Sequence, residues 1–416
     1  MTVTLSPARR WCALLSLSLG GFAIGATEFV AMGLLPDIAH DLLPDLTARS
    51  STAGIARAGW LISAYALGVV VGAPLFAMLA IKMSRTRLLL VLLALFVVGT
   101  VASAVLPSFG LVLLARFAAA LPHGAYFGTA SLVAASIMGP GSRGKGIAIV
   151  LSGLTVSNVV GVPAITWLGQ QQGWRTAYVA VAVIFALTFV AVLLAVPREP
   201  ANPDASARQE LSIFRLPQAW LVMGAAAIGF GGFFAVYTYI AEVVTQVAHQ
   251  PAGFVPWVLA CIGVGMTVGN LVGGWAADRN IRLTLMVGIP LLAVMLLAFA
   301  LLATSPVGLL LGAFGFGAVN ALIIPSIQSR LITIGGEAQL IAAALNHSAF
   351  NIGNSLGAVL GGAVIAAGFG YRAPTLVGAG MTVLGFILMA ASFALESRQR
   401  RAAVQPVQPE RTPVLA

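Results

Sequence analysis

Long apolar stretches, each bounded by charged residues, proline or glycine, recur along the whole chain. A helix that spans a bilayer needs about 20 mainly apolar residues. Of the 416 residues, 59% are apolar and only 8% are charged, against about 25% charged residues in an ordinary soluble domain. Too few polar side chains remain to cover a water-soluble surface. The pattern therefore predicts an all-α polytopic membrane protein and excludes soluble proteins, nucleic-acid-binding ones included.

Twelve apolar stretches predict twelve transmembrane helices. They lie at about 11–36, 58–80, 87–106, 108–138, 145–170, 175–196, 218–246, 254–276, 282–303, 306–333, 338–367 and 372–395. The first stretch is too long for the apolar core of a signal peptide and has no small-residue cleavage site after it. We therefore expect the first helix to be retained in the mature protein.

The basic residues predict the orientation in the membrane. If the N-terminus is cytoplasmic, 17 of the 22 basic residues fall on cytoplasmic segments, and four fall on external loops. Such an excess of arginine and lysine marks the cytoplasmic side of a membrane protein. The net charge of +10 is explained by these basic loops. Both termini are therefore expected to face the cytoplasm.

The middle of the chain divides it into two similar parts. The polar segment 198–217 predicts a cytoplasmic linker between an N-terminal six-helix bundle (1–197) and a C-terminal six-helix bundle (218–396), and 397–416 reads as a flexible cytoplasmic tail. A shift of 197 residues superimposes Gly68 on Gly265, Gly72 on Gly269, Lys82 on Arg279, Arg85 on Arg282, Gly173 on Gly370 and Arg175 on Arg372. A parallel repeat of two six-helix halves is typical of transporters whose substrate site lies between the halves.

Four stretches resemble a known family. They read ATEFVAMGLLP at 26–36, YALGVVVGAP at 65–74, LPHGAYFG at 121–128 and GLTVSNVVGVP at 153–163. They resemble the twelve-helix drug–proton antiporters of the major facilitator superfamily, and within them the bacterial arabinose- and sugar-efflux permeases. The resemblance implies the major facilitator fold of two pseudo-symmetric six-helix bundles, a bacterial cytoplasmic membrane location and alternating access by a monomer.

The loops that control gating in this superfamily are only half retained. The second half keeps the glycine-containing motif that ends in Asp278 and Arg279, whereas the first half has Ile81 and Lys82 where Asp-Arg is usual. By the resemblance, the gating-loop residues are Asp278, Arg279, Lys82 and Arg85. The departure at 81–82 leaves no aspartate for a latch in the N-terminal half.

Glu28 and Arg116 lie well inside the predicted spans, away from their ends. Burying a charge in a bilayer costs about 2.5–3.5 kcal/mol on insertion scales, so such residues are functional candidates. Glu28 and Arg116 each lie about eight residues, or about 12 Å, from the outer end of their helices. Burial favours a neutral carboxyl, and a nearby guanidinium favours a carboxylate. Glu28 is therefore predicted to carry protons with Arg116 as its modulator; the alternative is a permanent ion pair that joins helices 1 and 4.

Further polar side chains on the predicted helices suggest a solute site. His123 lies near the midplane and is predicted to relay protons, because histidine titrates near neutral pH; the alternative is a hydrogen-bonded packing histidine. The expected substrate-binding residues are Tyr65, Tyr126, Asn158, Tyr237, Tyr239, Asn320, His347 and Asn351. For the amides the alternative is a role in hydrogen bonds between helices, and for the tyrosines a role as anchors at the membrane surface.

The energy source and function follow from motifs that are missing as well as from those that are present. The sequence has no Walker-type loop for ATP, and no His/Asp/Glu metal set or Ser/His/Asp arrangement within the spans. We therefore expect neither enzymatic activity, nor a metal, nor a cofactor. The predicted partners are a small-molecule substrate, protons and the lipid bilayer. The predicted function is secondary active export of a sugar-like or drug-like solute in exchange for protons; the alternative is an uncoupled facilitator or importer in which Glu28 and Arg116 are structural.

Overall fold

The computed structural model describes residues 6–80, 83–139, 143–198, 211–335 and 339–404. Within these ranges all regular elements are helical, and eleven helical segments are long and apolar enough to cross a membrane. One of them, Ala252–Leu302, has 51 residues and is two helices joined at Asn280. The Asn280 backbone leaves the helix (φ −161°, ψ 93°), and its Oδ1 accepts a hydrogen bond of 2.9 Å from the Leu283 N–H. Twelve spanning helices result, which confirms the number predicted from the apolar pattern.

The N-terminal half contains six spanning helices, several of which are interrupted. They are α1 (Pro7–Gly33), α2 (Ser51–Ala58 and Trp60–Ala80), α3 (Arg85–Val105), α4 (Phe109–Ala120 and His123–Met138), α5 (Arg143–Val156 and Val162–Gln172, joined by a π-helical turn at Ser157–Gly161) and α6 (Trp174–Ala195). Helix α1 ends three residues before the predicted position, since the chain turns at Leu34. Helix α2 begins earlier than predicted, at Ser51, because the Ser50 side chain caps this amphipathic turn by accepting from the Ala53 N–H.

The C-terminal half repeats this order. Its helices are α7 (Pro217–Tyr237), α8 (255–279), α9 (281–302), α10 (Pro306–Gly335), α11 (Gln339–Ala366) and α12 (Ala373–Val404). Of the predicted linker 198–217, residues 199–210 lie outside the described residues, and 211–215 form a short 3₁₀ helix. Most of the predicted tail 397–416 is also outside them.

The helical bundle has two ends, which carry different connecting segments. The end that carries the short helices Leu35–Leu42 and Pro44–Arg49, between α1 and α2, is called the distal end. The end that carries the first residues of α1 and the junction between α8 and α9 is called the proximal end.

Glycines at equivalent positions show that the two halves are packed alike. A Cβ atom on Gly68 would overlap the Phe117 carbonyl oxygen of α4, and one on Gly72 would overlap that of Leu121. In the second half, Gly265 and Gly269 stand in the same relation to the carbonyls of Phe314 and Ala318 on α10. The shift of 197 residues superimposes the two glycine–carbonyl contacts of the first half on the two of the second half. Gly173 and Gly370 are equivalent as well, since both have positive φ angles, 91° and 77°. The repeat found in the sequence therefore corresponds to a structural repeat in which glycine permits backbone contact between helices.

The two halves contact each other along α2 with α11 and along α5 with α8. The Ser63 hydroxyl donates to the Ser355 carbonyl oxygen over 3.3 Å. The Gln170 side-chain amide donates to the Ala252 carbonyl oxygen over 3.0 Å at the distal end. A Cβ atom on Gly263 of α8 would overlap the carbonyl oxygen of Asn158, in the π-helical turn of α5. These contacts close the distal end between the halves.

Candidate substrate and proton site

Arg116 is anchored to α1, but not through Glu28. Its Nη1 donates to the Thr27 hydroxyl over 3.0 Å, and its Nη2 donates to the Thr27 carbonyl oxygen over 2.9 Å. The guanidinium also lies over the rings of Tyr65 and Tyr178, at 4.3 and 5.3 Å. Among the described residues, Glu28 and Arg116 form no ion pair within 4.0 Å. The connection between α1 and α4 is therefore made by Arg116 with Thr27, and the arginine acts on Glu28 only through space.

The Glu28 carboxyl lies where the two halves meet. It is 6% exposed, and Asn354 of α11 lies beside it from the opposite half. The adjacent Phe29 ring packs against two rings of α7, at 5.6 Å from Tyr237 and 6.4 Å from Phe234. A change in the separation of the halves therefore changes the surroundings of this carboxyl directly.

Buried side-chain amides occur on helices of both halves, α5 in the first and α10 and α11 in the second. Within the described part of the chain, buried amide atoms that make no hydrogen bond of normal geometry occur in Asn158, Asn320, Asn346, Asn351 and Asn354. Leaving a buried polar atom unpaired costs about 1–3 kcal/mol, so such a group of amides is expected where a polar solute binds. Three of them, Asn158, Asn320 and Asn351, are predicted from the sequence as substrate-binding residues.

The buried His123 and the half-buried His347 come together across the interface. The Tyr65 hydroxyl lies 3.2 Å from His123 Nδ1. The ring of His347, from α11, lies 6.4 Å from the His123 ring and stacks on Phe127 at 5.7 Å with an interplanar angle of 3°. Helix α4 is interrupted at Leu121 and Pro122, so His123 begins its second segment. Three residues predicted separately, Tyr65, His123 and His347, therefore form one cluster.

Two predicted tyrosines are engaged elsewhere. The Tyr126 hydroxyl donates to the Leu17 carbonyl oxygen over 2.8 Å, and its ring packs against Phe96 inside the N-terminal half. The Tyr239 hydroxyl donates to the Ala358 carbonyl oxygen over 2.6 Å at the distal end. There it lies against Gly59 of the N-terminal half. Tyr126 is thus placed in the packing of one half, and Tyr239 in the distal closure.

The predicted gating residues lie at the proximal end. Asp278 and Arg279 end α8, and the Arg279 guanidinium lies 3.5 Å from the centre of the Trp275 ring. Arg85 begins α3, whereas Lys82 lies outside the described residues.

An ion pair that the sequence analysis missed lies at the same end. Arg330 of α10 donates to Glu396 of α12 over 3.0 Å, and its guanidinium stacks on the Phe393 ring at 3.8 Å. These residues, together with Arg282, line a cavity of about 590 Å³.

Asn354, Thr27 and Tyr178 are also site residues, although they are not among the substrate-binding residues expected from the sequence. Asn354 follows His347 and Asn351 at helical spacing, so its position on the same face of α11 could be found from the sequence. Thr27 and Tyr178 carry no comparable signal, because a threonine or a tyrosine in a spanning helix is not rare enough to stand out. Their role depends on which helices are neighbours.

A second buried carboxyl lies beyond the distal end of α7. Glu242 is 4% exposed and belongs to a short turn, Ile240–Glu242, which contacts α1 and the Leu35–Leu42 helix of the other half. Burial raises the pKa of Glu242 to about 7, against the opposing effect of a hydrogen bond with Tyr371. Protonated Glu242 is therefore the form that suits the closed distal end.

We expect distal closure to weaken as the pH rises from about 4.5 to about 7. An exposed Glu242 would have its ordinary pKa of 4.5, so the closed form binds its proton more tightly than the open form and is favoured at low pH. Purified protein carrying Ser63→Cys, with Cys12 and Cys261 replaced by serine, should therefore be labelled faster by maleimide at pH 7 than at pH 5. The same labelling rate is measured in protein that carries Glu242→Gln in addition to Ser63→Cys. The ratio of the first rate to the second, taken at each pH, cancels the pH dependence of the thiol itself. An equal ratio at both pH values would contradict the prediction; Asp45→Asn, an exposed distal carboxylate, is the matched control.

Twelve spanning helices in two similar halves, with buried polar groups between them, define the class of the protein as a polytopic membrane transporter. The sequence profile described as Major Facilitator Superfamily matches residues 17–339 and 243–416. The chain is 39% identical over 376 residues to the inner membrane transport protein YdhP of Escherichia coli strain K12, covering 90% of this chain and 94% of that protein. It is 33% identical over 375 residues to a chloramphenicol resistance protein of Streptomyces lividans, covering 89% and 93%.

The solved structures agree in fold. The crystal structure of a D-xylose-proton symporter superimposes with a TM-score of 0.72 at 16% identity, over 91% of this chain and 97% of that one. The chain belongs to the Major Facilitator Superfamily and is a membrane transporter of small solutes. This confirms the family resemblance, and with it the all-helical fold of two six-helix halves.

Proposed function

We propose that this protein exports a small solute across the bacterial cytoplasmic membrane in exchange for protons, and that Glu28 carries the protons. The observation that carries the proposal is a buried carboxyl at the interface of the halves, next to an arginine whose hydrogen bonds go to Thr27. A carboxyl without a fixed ionic partner can lose its proton when water reaches it and regain it when it is buried. A permanent Glu28–Arg116 ion pair would not do this.

The surroundings of Glu28 favour an amphipathic, drug-like solute over a sugar-like one. Aromatic rings from both halves, Phe29, Phe234 and Tyr237, offer apolar surface beside the carboxyl. The asparagines supply hydrogen bonds without charge. A relative named for chloramphenicol resistance, 33% identical to this chain, supports a drug-like solute. An inner membrane transport protein among the relatives supports the location.

The orientation of the chain in the membrane assigns each end of the bundle to one step of the transport cycle. The distal end is external, because the excess of basic residues lies on the segments of the opposite end. Opening of the distal end connects Glu28 with the external water while the solute leaves, and the carboxyl takes up an external proton as it is buried again. Closure of the distal end, as in this structure, buries the protonated carboxyl, and opening of the proximal end then releases the proton to the cytoplasm.

Solute accumulation in proteoliposomes tests this proposal. With the lumen at pH 6 and the bath at pH 8, outward proton flow should drive radiolabelled chloramphenicol or another solute from a drug panel into the lumen above its bath concentration. Xylose and arabinose, tested in parallel, represent sugar-like solutes. Equilibration without accumulation for every solute would support an uncoupled facilitator, and accumulation only with the opposite gradient would support a proton-coupled importer. Protein-free liposomes are the control for passive diffusion.

A further inference from the structure

Two histidines from opposite halves face each other at the interface, on the proximal side of Glu28. His123 follows Arg116 by seven residues on α4, about 10 Å along the helix axis. His347 lies eight residues after the first residue of α11, Gln339, at the proximal end. Their rings are 6.4 Å apart. The N-terminal half thus presents one imidazole to an imidazole of the C-terminal half.

Packing and one hydrogen bond hold both rings in place. Tyr65 holds Nδ1 of His123 at 3.2 Å, so Nε2 is the nitrogen left to exchange protons with the interface. Phe127 lies 5.5 Å from the His123 ring and stacks on the His347 ring. Neutral imidazoles suit this aromatic packing, whereas two imidazolium ions at this separation would repel each other and require water.

Several other titratable and charged groups lie on the helices packed against the two histidines. At the proximal helix ends they include Arg9 and Arg10 on α1, Arg85 and Arg87 on α3, Arg143 and Lys145 on α5, Arg330 on α10, and Glu396 and Arg398 on α12; further along the helices they include Glu28 on α1, Tyr65 and Arg57 on α2, Arg116 and Tyr126 on α4, and Tyr237 on α7. Arg116 binds Thr27, Tyr126 binds the Leu17 carbonyl, and Arg330 binds Glu396. Arg57 lies over the ring of Trp60. The His123 ring is in contact with Tyr65 and with the ring of His347.

We propose that His123 and His347 form a second proton-binding position, shared by the two halves, whose protonation separates the halves at the proximal side. This proton-binding position is distinct from Glu28. The inference rests on the proposed proton exchange only for the direction in which protons move. A proton that arrives while the distal end is open would then favour opening towards the cytoplasm, where it is released. Neutral imidazoles would let the halves come together again.

The distance between the halves as a function of pH tests the pair. Nitroxide spin labels at Ala148 of α5 and Thr333 of α10, both exposed, report this distance by double electron–electron resonance. The full-length protein carries Glu28→Gln and Glu242→Gln, with Cys12 and Cys261 replaced by serine, so that neither buried carboxyl can contribute. We expect the population with the longer distance to grow between pH 8 and pH 5. A distribution that does not change with pH would overturn the proposal.

Histidine variants assign the response to the pair. His123→Gln and His347→Gln should each abolish the pH dependence, and the double variant should lose no more than either single one, since the two rings act as a unit. His40→Gln, an exposed histidine on a distal connecting helix, is the matched control and should keep the full response. If either single variant keeps the pH dependence, the pair is not the proton-binding position.

A milder variant keeps the test valid if a histidine variant does not fold. Tyr65→Phe removes the hydroxyl that holds His123 and should shift the midpoint of the pH response without abolishing it; an unchanged midpoint would count against the proposal. These measurements need neither solute nor a proton gradient. Failure of the proposed exchange in proteoliposomes would therefore leave a pH-dependent distance intact, and failure of the histidine pair would leave gradient-driven accumulation intact.

Discussion

Glu28→Gln is expected to abolish pH-gradient-driven accumulation of solute while leaving exchange of solute across the membrane in place. Glutamine keeps the size and hydrogen-bonding capacity of the protonated carboxyl but cannot release a proton. The protein then remains in the form that the proton-loaded transporter would have, and the halves can still alternate with solute bound. A gradient of two pH units supports up to about 100-fold accumulation for one proton exchanged per neutral solute, because each unit is worth 1.36 kcal/mol. All of this driving force should be lost.

The measurement compares uptake with and without the gradient in the same proteoliposomes. Counterflow of labelled solute against an internal excess of unlabelled solute, at equal pH on both sides, reports the exchange that should survive. Asp45→Asn serves as the control, since Asp45 is an exposed carboxylate on a distal connecting helix. Gradient-driven accumulation at the wild-type level in Glu28→Gln would show that another group carries the protons.

Gly263→Ala is expected to prevent closure of the distal end and to stop transport. The added Cβ would overlap the carbonyl oxygen and carbon of Asn158 and crowd the Val159 nitrogen on the opposite half. These are backbone atoms of the π-helical turn in α5, so no flexible side chain can move aside. Overpacking of this kind costs about 1–3 kcal/mol, which lowers the closed-to-open ratio by about 5- to 150-fold. The clash arises only when the halves are together, so the protein should still fold.

Gly274→Ala is the matched control for this prediction. It lies on the same helix, and nothing lies within 4 Å of a Cβ placed there. Maleimide labelling of Ser63→Cys should be fast in Gly263→Ala, and its rate divided by the rate in the variant that also carries Glu242→Gln should be the same at pH 5 and pH 7; both quantities should be unchanged in Gly274→Ala. Circular dichroism and elution as a monodisperse species establish that both variants fold. Normal transport by Gly263→Ala would mean that α5 and α8 never approach as closely as they do here.

The sequence predicts the helices and their repeat well, for physical reasons. The bilayer requires every backbone polar group to be paired within a helix, so long apolar stretches have few alternatives. Glycines such as Gly68 and Gly265 are needed for close packing in each half and therefore recur at the same offset. Glu28 stands out because no other acid lies clearly inside a predicted span.

What the sequence cannot predict depends on which helices become neighbours. Equal depth makes a Glu28–Arg116 ion pair possible, as in the alternative considered above, but depth does not fix the direction of a long side chain, and Arg116 binds Thr27 instead. The approach of Gly263 to Asn158 joins residues more than 100 positions apart in different halves, and no local pattern encodes it. The break at Asn280 lies between the predicted helices 254–276 and 282–303, whereas the break at Leu121–Pro122 lies inside the predicted helix 108–138.

The anchoring of Arg116 affects how the surroundings of Glu28 would change when the two halves move relative to each other. The guanidinium is bonded to α1 and stacked on two tyrosines of the same half, so in the proposed cycle we expect it to keep its position relative to Glu28. Asn354 and Tyr237 belong to the other half and would move relative to the carboxyl. If Glu28 carries the protons, its proton affinity would then depend on the position of the opposite half.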